Sequence, residues 1–261
     1  MTKEISPLKI VFVISTLSNG GAARVASILT SSWAEQGFEV TLFTTYLHEA
    51  QEDFYSLSPK VKRLRLTNLV FSKDRTFFSY SKRLTFFRRQ ILKLNPQVVI
   101  SFADRINVLT LLSLVGTGVP TIVCERSNPF LKPLPPLLNL LRRFSYRFLA
   151  LEVCVQTQIV RRQFQTKWGI TSSVISNPIK LDRVSNIPLM KRQKIILSVG
   201  RFCFEKGQDL LLRSWANIAK YHPDWKLRFV GDGNDLCRLQ KLTKILQVDK
   251  QVEWMGKVRD V

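Results

Sequence analysis

Short apolar runs alternate along this chain with longer segments of helical period, and that alternation predicts an α/β protein. Residues 9–14 (KIVFVI) read as a first strand because the run is near-continuously apolar, as in strands buried on both faces. A polar turn with Gly20 and Gly21 follows, and a helical pattern runs on through Ala26, Leu29 and Trp33. Residues 39–45 repeat the strand pattern after Gly37 and complete a strand–helix–strand unit. Residues 46–72 are less regular, with a short strand expected near 61–66 and a helix over 76–94. Further strands are predicted at 97–101, 121–124 and 151–156, with a polar helix around 159–164. In the second half, strands at 195–199, 226–230 and 252–254 are separated by helices over 208–221 and 235–246. The strand at 195–199 is expected to be buried.

Strands alternating with helices predict parallel sheets with helices on their faces, here in two Rossmann-like domains. The stretch KLDRVSNIPLMKRQK is polar and contains proline, which marks a linker. The expected division is 1–180, a linker over 181–193, and a smaller second domain over 194–261. That second domain has 68 residues, against the ~100–150 usual for a domain, so its sheet is expected to be incomplete with an open edge.

Candidate chemistry gathers where strands end. After the strand at 195–199 come Gly200 and Arg201, then Lys206 and Gly207, then a helix start. Free N–H groups at a helix start, joined by two cations, suit a diphosphate. The alternative is that Arg201 and Lys206 are solvated loop cations. Gly20 and Gly21 would let a ligand approach the backbone, but no GxGxxG is present, which disfavours a nicotinamide dehydrogenase. Asp104 and Asn107 follow one strand, and Glu125, Arg126 and Asn128 follow its neighbour, so both clusters would border one crevice. Glu125 and Arg126 could instead form a local ion pair that terminates the strand.

Composition narrows the field only in part. The 261 residues carry a formal net charge of +21. It is spread as +14 before the 187/188 junction and +7 after it, so it is no tail, and it implies attraction to polyanions. Residues 75–94 hold six Lys or Arg, no acid, and Phe77, Phe78, Tyr80, Phe86 and Phe87. This helix can pack its aromatics on the sheet and can also lie on anionic lipid. Residues 129–149 hold Lys132, Arg142, Arg143 and Arg147 with no acid, and read either as a docked helix or as a surface for membrane and acceptor lipid. Cys124, Cys154, Cys203 and Cys237 form no CxxC pair, so neither a zinc site nor a disulfide framework is expected and a reducing cytosol fits. The run at 8–14 is short for a signal sequence, and the run at 106–124 is broken by glycine and proline, so neither export nor a membrane span is expected. A nucleic-acid binder is favoured only by charge, since no recognition motif accompanies it.

Taken in order, the motifs resemble retaining glycosyltransferases of the GT-B fold, family 4 of the group 1 type. Gly20-Gly21-Ala22-Ala23-Arg24-Val25 is similar to the family's GGAERV, with Ala23 where Glu is common. The SF…N at 101–107, the ER.NP at 125–129 and the run at 173–178 resemble further family marks, as do Val199-Gly200-Arg201 with Glu205-Lys206-Gly207, the turn at 230–233, and Gly256-Lys257-Val258. The resemblance implies transfer of a hexosyl or N-acetylhexosaminyl unit from a UDP- or GDP-sugar to a polysaccharide or lipid-linked oligosaccharide. It implies no metal and no other cofactor. By the same resemblance Gly20, Gly21, Gly200, Arg201, Lys206, Gly231, Gly256, Lys257 and Val258 bind the donor. Asp104, Asn107, Glu125, Arg126 and Asn128 line the acceptor side, with Arg201, Lys206, Asp104 and Glu125 closest to the chemistry. The implied place is the cytoplasm or, peripherally, the inner face of a membrane. Two departures stand out. The acidic EX7E element that follows this turn in the family is absent from the 261 residues, and no histidine stands near the strand at 97–101. A truncated chain, or a non-catalytic nucleotide-binding subunit of the same fold, is therefore the alternative expectation.

Overall fold

The computed structural model describes residues 7–18, 20–45, 53–65, 77–131, 133–178 and 192–258, with the side chains of 77–80 outside the description. The expected linker therefore lies outside the described residues as far as residue 191, as do Arg75, Thr76 and Lys132. The chain divides into two compact units, Met1–Lys180 and Leu181–Val261.

The first unit runs β1 (Lys9–Ile14), α1 (Gly21–Glu35), β2 (Glu39–Thr44), β3 (Lys62–Arg65), α2 (Phe77–Leu92), β4 (Val98–Phe102) and α3 (Asp104–Ser113). It continues with β5 (Thr121–Cys124), α4 (Pro136–Phe148), β6 (Glu152–Val155), α5 (Gln158–Gln163), a π-helical turn (Phe164–Trp168) and β7 (Ser173–Val174). Its seven strands lie in the order β3-β2-β1-β4-β5-β6-β7, all parallel. β1 shows why its run is apolar without alternation. Ile10, Phe12 and Ile14 pack with Ala26 of α1, while Val11 and Val13 pack with Phe87 and Ile91 of α2 on the opposite face. The strand order reverses direction between β1 and β4, and in sheets of this kind ligands bind outside the carboxyl ends of the strands at that point.

The helix α3 has no counterpart in the sequence-based expectation, which reads its first residues as a polar cluster. Ile106 packs toward α2 and β1, whereas Val108 and Leu111 pack toward α4, β5 and β6. Being buried on two flanks, the helix lacks the single apolar stripe that periodicity detects.

The second unit runs β8 (Ile195–Val199), a 3-10 turn (Phe204–Lys206), α6 (Gln208–Ile218) with a further 3-10 turn (Ala219–Tyr221), β9 (Lys226–Val230), α7 (Leu236–Ile245) and β10 (Val252–Trp254). The helix expected over 208–221 thus ends as α-helix at Ile218. Its three parallel strands are ordered β10-β9-β8 over a core of Phe202, Leu212, Trp215, Leu227, Phe229 and Leu239. The expectation of a buried β8 fails. Among the described residues it pairs on one side only, and Leu197 and Val199 remain 52% and 54% exposed. An apolar run shows that a strand can be buried, but not that both its faces and both its edges are covered.

Candidate functional site

In the second unit the turns that leave the three strands are joined backbone to backbone. Gly200 N donates to Val230 O at 2.9 Å, Gly231 N to Gly256 O at 2.8 Å, and Phe202 N to Asp232 O at 2.9 Å. The approach is close enough to demand glycine: a Cβ on Gly231, whose φ is +144°, would lie 2.0 Å from Gly200 O. A Cβ on Gly233 would lie 2.2 Å from Phe202 O. Phe202 is itself buried in the core, its ring 5.5 Å from that of Trp254, and so anchors the turn that carries Arg201. Buried Gln208 completes the anchorage by donating Nε2 to Arg201 O at 3.0 Å.

The side chains on this scaffold face outward. Arg201 and Lys206 are exposed, and neither makes a side-chain hydrogen bond or ion pair among the described residues. Lys206 runs across Gly200, with its Cδ and Cε 3.7 and 3.8 Å from where a Cβ would stand. Gly207, in the left-handed region at φ 63°, turns the chain directly into α6, so the N-terminal N–H groups of that helix open beside the two cations. Lys257 lies 3.3 Å from Asp232, which partly offsets its charge. Gly256 has open space around its Cα, and Val258 is exposed. Backbone donors, a helix start and two unneutralised cations together form a surface suited to a phosphate or diphosphate.

The first unit is arranged differently. Gly20 precedes α1 and Gly21 begins it, at the carboxyl end of β1, and a Cβ on either would meet nothing within 4 Å. The neighbouring β4 is followed by Ala103, held at φ 81°, a region that costs a residue with a side chain about 1–3 kcal/mol. Asp104 begins α3 there, half-buried, and its Oδ1 accepts from Arg105 N at 2.7 Å. Gly20, Gly21, Ala103 and Asp104 therefore sit at the point where the strand order reverses.

One strand further on, the expected acceptor residues are drawn inside. Glu125 is buried, and its Oε1 accepts from Tyr146 Oη at 2.7 Å and lies 3.5 Å from Arg142 Nη1. Burial pushes its carboxyl up to about 7, against the opposing pull of Arg142 and Tyr146. Burial likewise pushes the Tyr146 hydroxyl well above its usual range. Asn107, also buried, donates Nδ2 to Tyr146 Oη at 2.9 Å and to Cys124 O at 3.2 Å. Asn107 and Glu125, expected on the acceptor side, are thus drawn into a network internal to the unit, in which Asn107 Oδ1 and Glu125 Oε2 keep no hydrogen-bond partner among the described residues. The alternative, a local ion pair of Glu125 with Arg126, does not form either, since the cation at Glu125 is Arg142 of α4.

Arg126 is half-buried with its guanidinium 4.6 Å from the centre of the Phe102 ring, and desolvation draws its pKa down. Asn128 holds its own loop, accepting from Phe130 N at 2.9 Å and donating to Gln163 Oε1 at 3.0 Å. All four cysteines are free. Among the described residues no group of three or more His, Cys, Asp or Glu gathers, and no helix is long and apolar enough to cross a membrane.

Sequence reasoning missed Phe202, Gln208, Ala103, Arg142 and Tyr146. An aromatic directly after Gly-Arg was a usable signal for a buried anchor. Nothing local marked Arg142 and Tyr146, whose apolar neighbours on the same helix point the other way.

Comparison with known proteins adds a separate finding. The model of Glycosyltransferase Family 4 matches residues 19–183, and that of Glycosyl transferases group 1 matches residues 182–261. A Campylobacter jejuni alpha-1,4-N-acetyl-D-galactosaminyltransferase, named for a diNAcBac-PP-undecaprenol-linked substrate, is 28% identical over 97% of this chain and 69% of its own length. An amylovoran biosynthesis glycosyltransferase of Erwinia amylovora is 25% identical over 94% of this chain and 68% of its own. Among solved structures, Anabaena HepE in complex with UDP and glucose aligns with a TM-score of 0.72 at 13% identity, covering 96% of this chain and 70% of that one. This last likeness speaks for the fold.

Proposed function

Because the chain belongs to Glycosyltransferase Family 4, whose model spans residues 19–183, we propose that it transfers a hexosyl or N-acetylhexosaminyl unit from a UDP- or GDP-sugar to a growing polysaccharide or lipid-linked oligosaccharide, with retention of configuration. The observation that carries the reading is the pair Arg201 and Lys206, exposed and unneutralised beside the start of α6 on a scaffold of glycine turns. The similar proteins support the acceptor class: one is named for a lipid-diphosphate-linked glycan and one for the biosynthesis of a polysaccharide. The complex of HepE with UDP supports the donor class.

In this mechanism Arg201 and Lys206 bind the diphosphate and stabilise the charge that grows on it as the glycosyl bond breaks. The turns at Gly231 and Gly256, with Lys257 and Val258, receive the nucleoside. The acceptor hydroxyl attacks from the face the diphosphate leaves, and a diphosphate oxygen takes its proton, which accounts for retention without a protein nucleophile. Gly20 and Gly21 give the donor backbone access in the first unit, and Asp104, the remaining carboxylate at the point where the strand order reverses, orients the acceptor hydroxyl. Arg126, whose Nε and Nη2 have no hydrogen-bond partner among the described residues, contacts the acceptor. The reaction runs at the inner face of the membrane, where lipid-linked acceptors reside.

The test is to incubate the purified chain with a panel of UDP- and GDP-sugars and a lipid-diphosphate-linked glycan, and to follow the acceptor by mass spectrometry and NMR. The proposal expects one added sugar unit with the donor's anomeric configuration. Binding of nucleotide with no transfer from any donor would instead support a non-catalytic subunit, and inverted configuration would overturn the mechanism.

A further inference from the structure

The helix α4 is built inside out. The side chains it turns inward are mainly polar: Arg142 at 1% exposure, Ser145 and Tyr146, with Leu138 partly buried beside them and Asn139 Oδ1 accepting from Arg142 Nη2 at 2.5 Å. The side chains it turns outward are apolar: Leu137 (72% exposed), Leu140 (64%), Leu141 (37%), Phe144 (53%) and Phe148 (63%). These fall at i, i+3, i+4, i+7 and i+11 and so form one stripe, with the rings of Phe144 and Phe148 packed at 4.9 Å. Leu131 before the helix and Leu151 after it extend the same exposure, at 83% and 66%. An exposed apolar surface of this continuity marks a binding surface.

Its surroundings identify the occupant. Residues 126–151 contain no Asp or Glu. Arg143 and Arg147 stand exposed beside the stripe, and Arg147 lies over the edge of the apolar surface, 5.7 Å from the Phe148 ring. Leucine and phenylalanine bordered by arginine, without acids, match acyl chains bordered by anionic headgroups. The thirteen residues of the helix span ~20 Å at ~1.5 Å per residue, which is too short to cross a bilayer. We infer that α4 is an interfacial anchor, lying in the plane of an anionic phospholipid bilayer with Leu137, Leu140, Leu141, Phe144 and Phe148 in the acyl region and Arg143 and Arg147 at the headgroups. The inference stands on this helix and not on the sugar-transfer reading, so either can fail alone.

The experiment is vesicle co-sedimentation of the whole chain with phosphatidylcholine alone and with an equal mixture of phosphatidylcholine and phosphatidylglycerol. Wild type is expected to bind the mixed vesicles, and the L140S/F144S double variant to bind them about tenfold or more weakly, since each buried Leu or Phe side chain contributes at least that order. The R143Q/R147Q variant should lose most of the preference for phosphatidylglycerol while keeping residual binding. Because every substituted side chain is exposed, far-UV circular dichroism and melting should be unchanged. A second readout is F144W, whose emission should shift to the blue on adding mixed vesicles. Undiminished binding by L140S/F144S would show that the global charge alone drives association and would overturn the inference. So would an unshifted F144W spectrum, or a concentration-dependent dimer that L140S/F144S dissolves while wild type ignores vesicles.

Discussion

At the carboxyl end of the first sheet the conspicuous polar side chains turn inward, and at the carboxyl end of the second they turn outward. Glu125, Asn107, Arg142 and Tyr146 bond to one another within the first unit, while Glu125 Oε2, Asn107 Oδ1 and Arg142 Nε keep no hydrogen-bond partner among the described residues. Arg201 and Lys206 satisfy no group among the described residues, and it is the backbone beneath them that is tightly held. Polar side chains that follow the strands therefore have opposite roles in the two units. The first set fixes the loop that follows β5, and the second leaves its charge available to a ligand. What separates them is whether a neighbouring helix supplies a buried counter-group. α4 does so in the first unit through Arg142 and Tyr146, whereas α6 in the second sends only Gln208, which takes a carbonyl and leaves the cations alone.

The contrast can be broken in several ways. The largest effect on stability is expected from Glu125→Ala, which strands Arg142 as a buried unpaired charge and should cost about 3–5 kcal/mol in urea unfolding. A cost no greater than that of a surface substitution would show that the network is not structural. Gly231→Ala should follow, because its Cβ has no place within 2.0 Å of Gly200 O and the φ of +144° is strained for alanine. A loss of about 1–3 kcal/mol is expected, together with loss of nucleotide binding, measured by melting with and without UDP. A smaller effect concerns pH. The folded chain holds the Glu125 proton up to about 7, whereas an ordinary carboxyl releases it near 4.5, so the folded state binds more protons in that interval. This contribution to stability is complete below pH 4.5 and is lost as pH rises through 7. Comparing urea midpoints of wild type and Glu125→Gln across that range isolates it, and parallel curves would contradict it.

These differences in role also mark how far the sequence was legible. The strands at β5, β8, β9 and β10 were found at their observed bounds, because a run of apolar residues ended by glycine or a polar cluster is a local signal. The turn geometry around Gly200 was legible for the same reason. The environment of Glu125 was not. Its partners lie on α4, seventeen and twenty-one residues along the chain, on a helix whose apolar stripe points away from the core and so gave no sign of the polar face that packs inward. β8 erred in the other direction, since its composition gave no sign that Leu197 and Val199 would stay uncovered. Local pattern locates an element, but only the packing decides which of its faces is used.

Least disturbing to the fold, and most telling, is the removal of Arg201 and Lys206 together. Both are exposed, so the double alanine variant should unfold within ~0.5 kcal/mol of wild type. Calorimetric titration with UDP and with GDP should nevertheless show affinity about a hundredfold or more weaker, as expected from losing two charged contacts to a diphosphate. Unchanged affinity in a folded variant would contradict the assignment of the donor diphosphate to these two side chains.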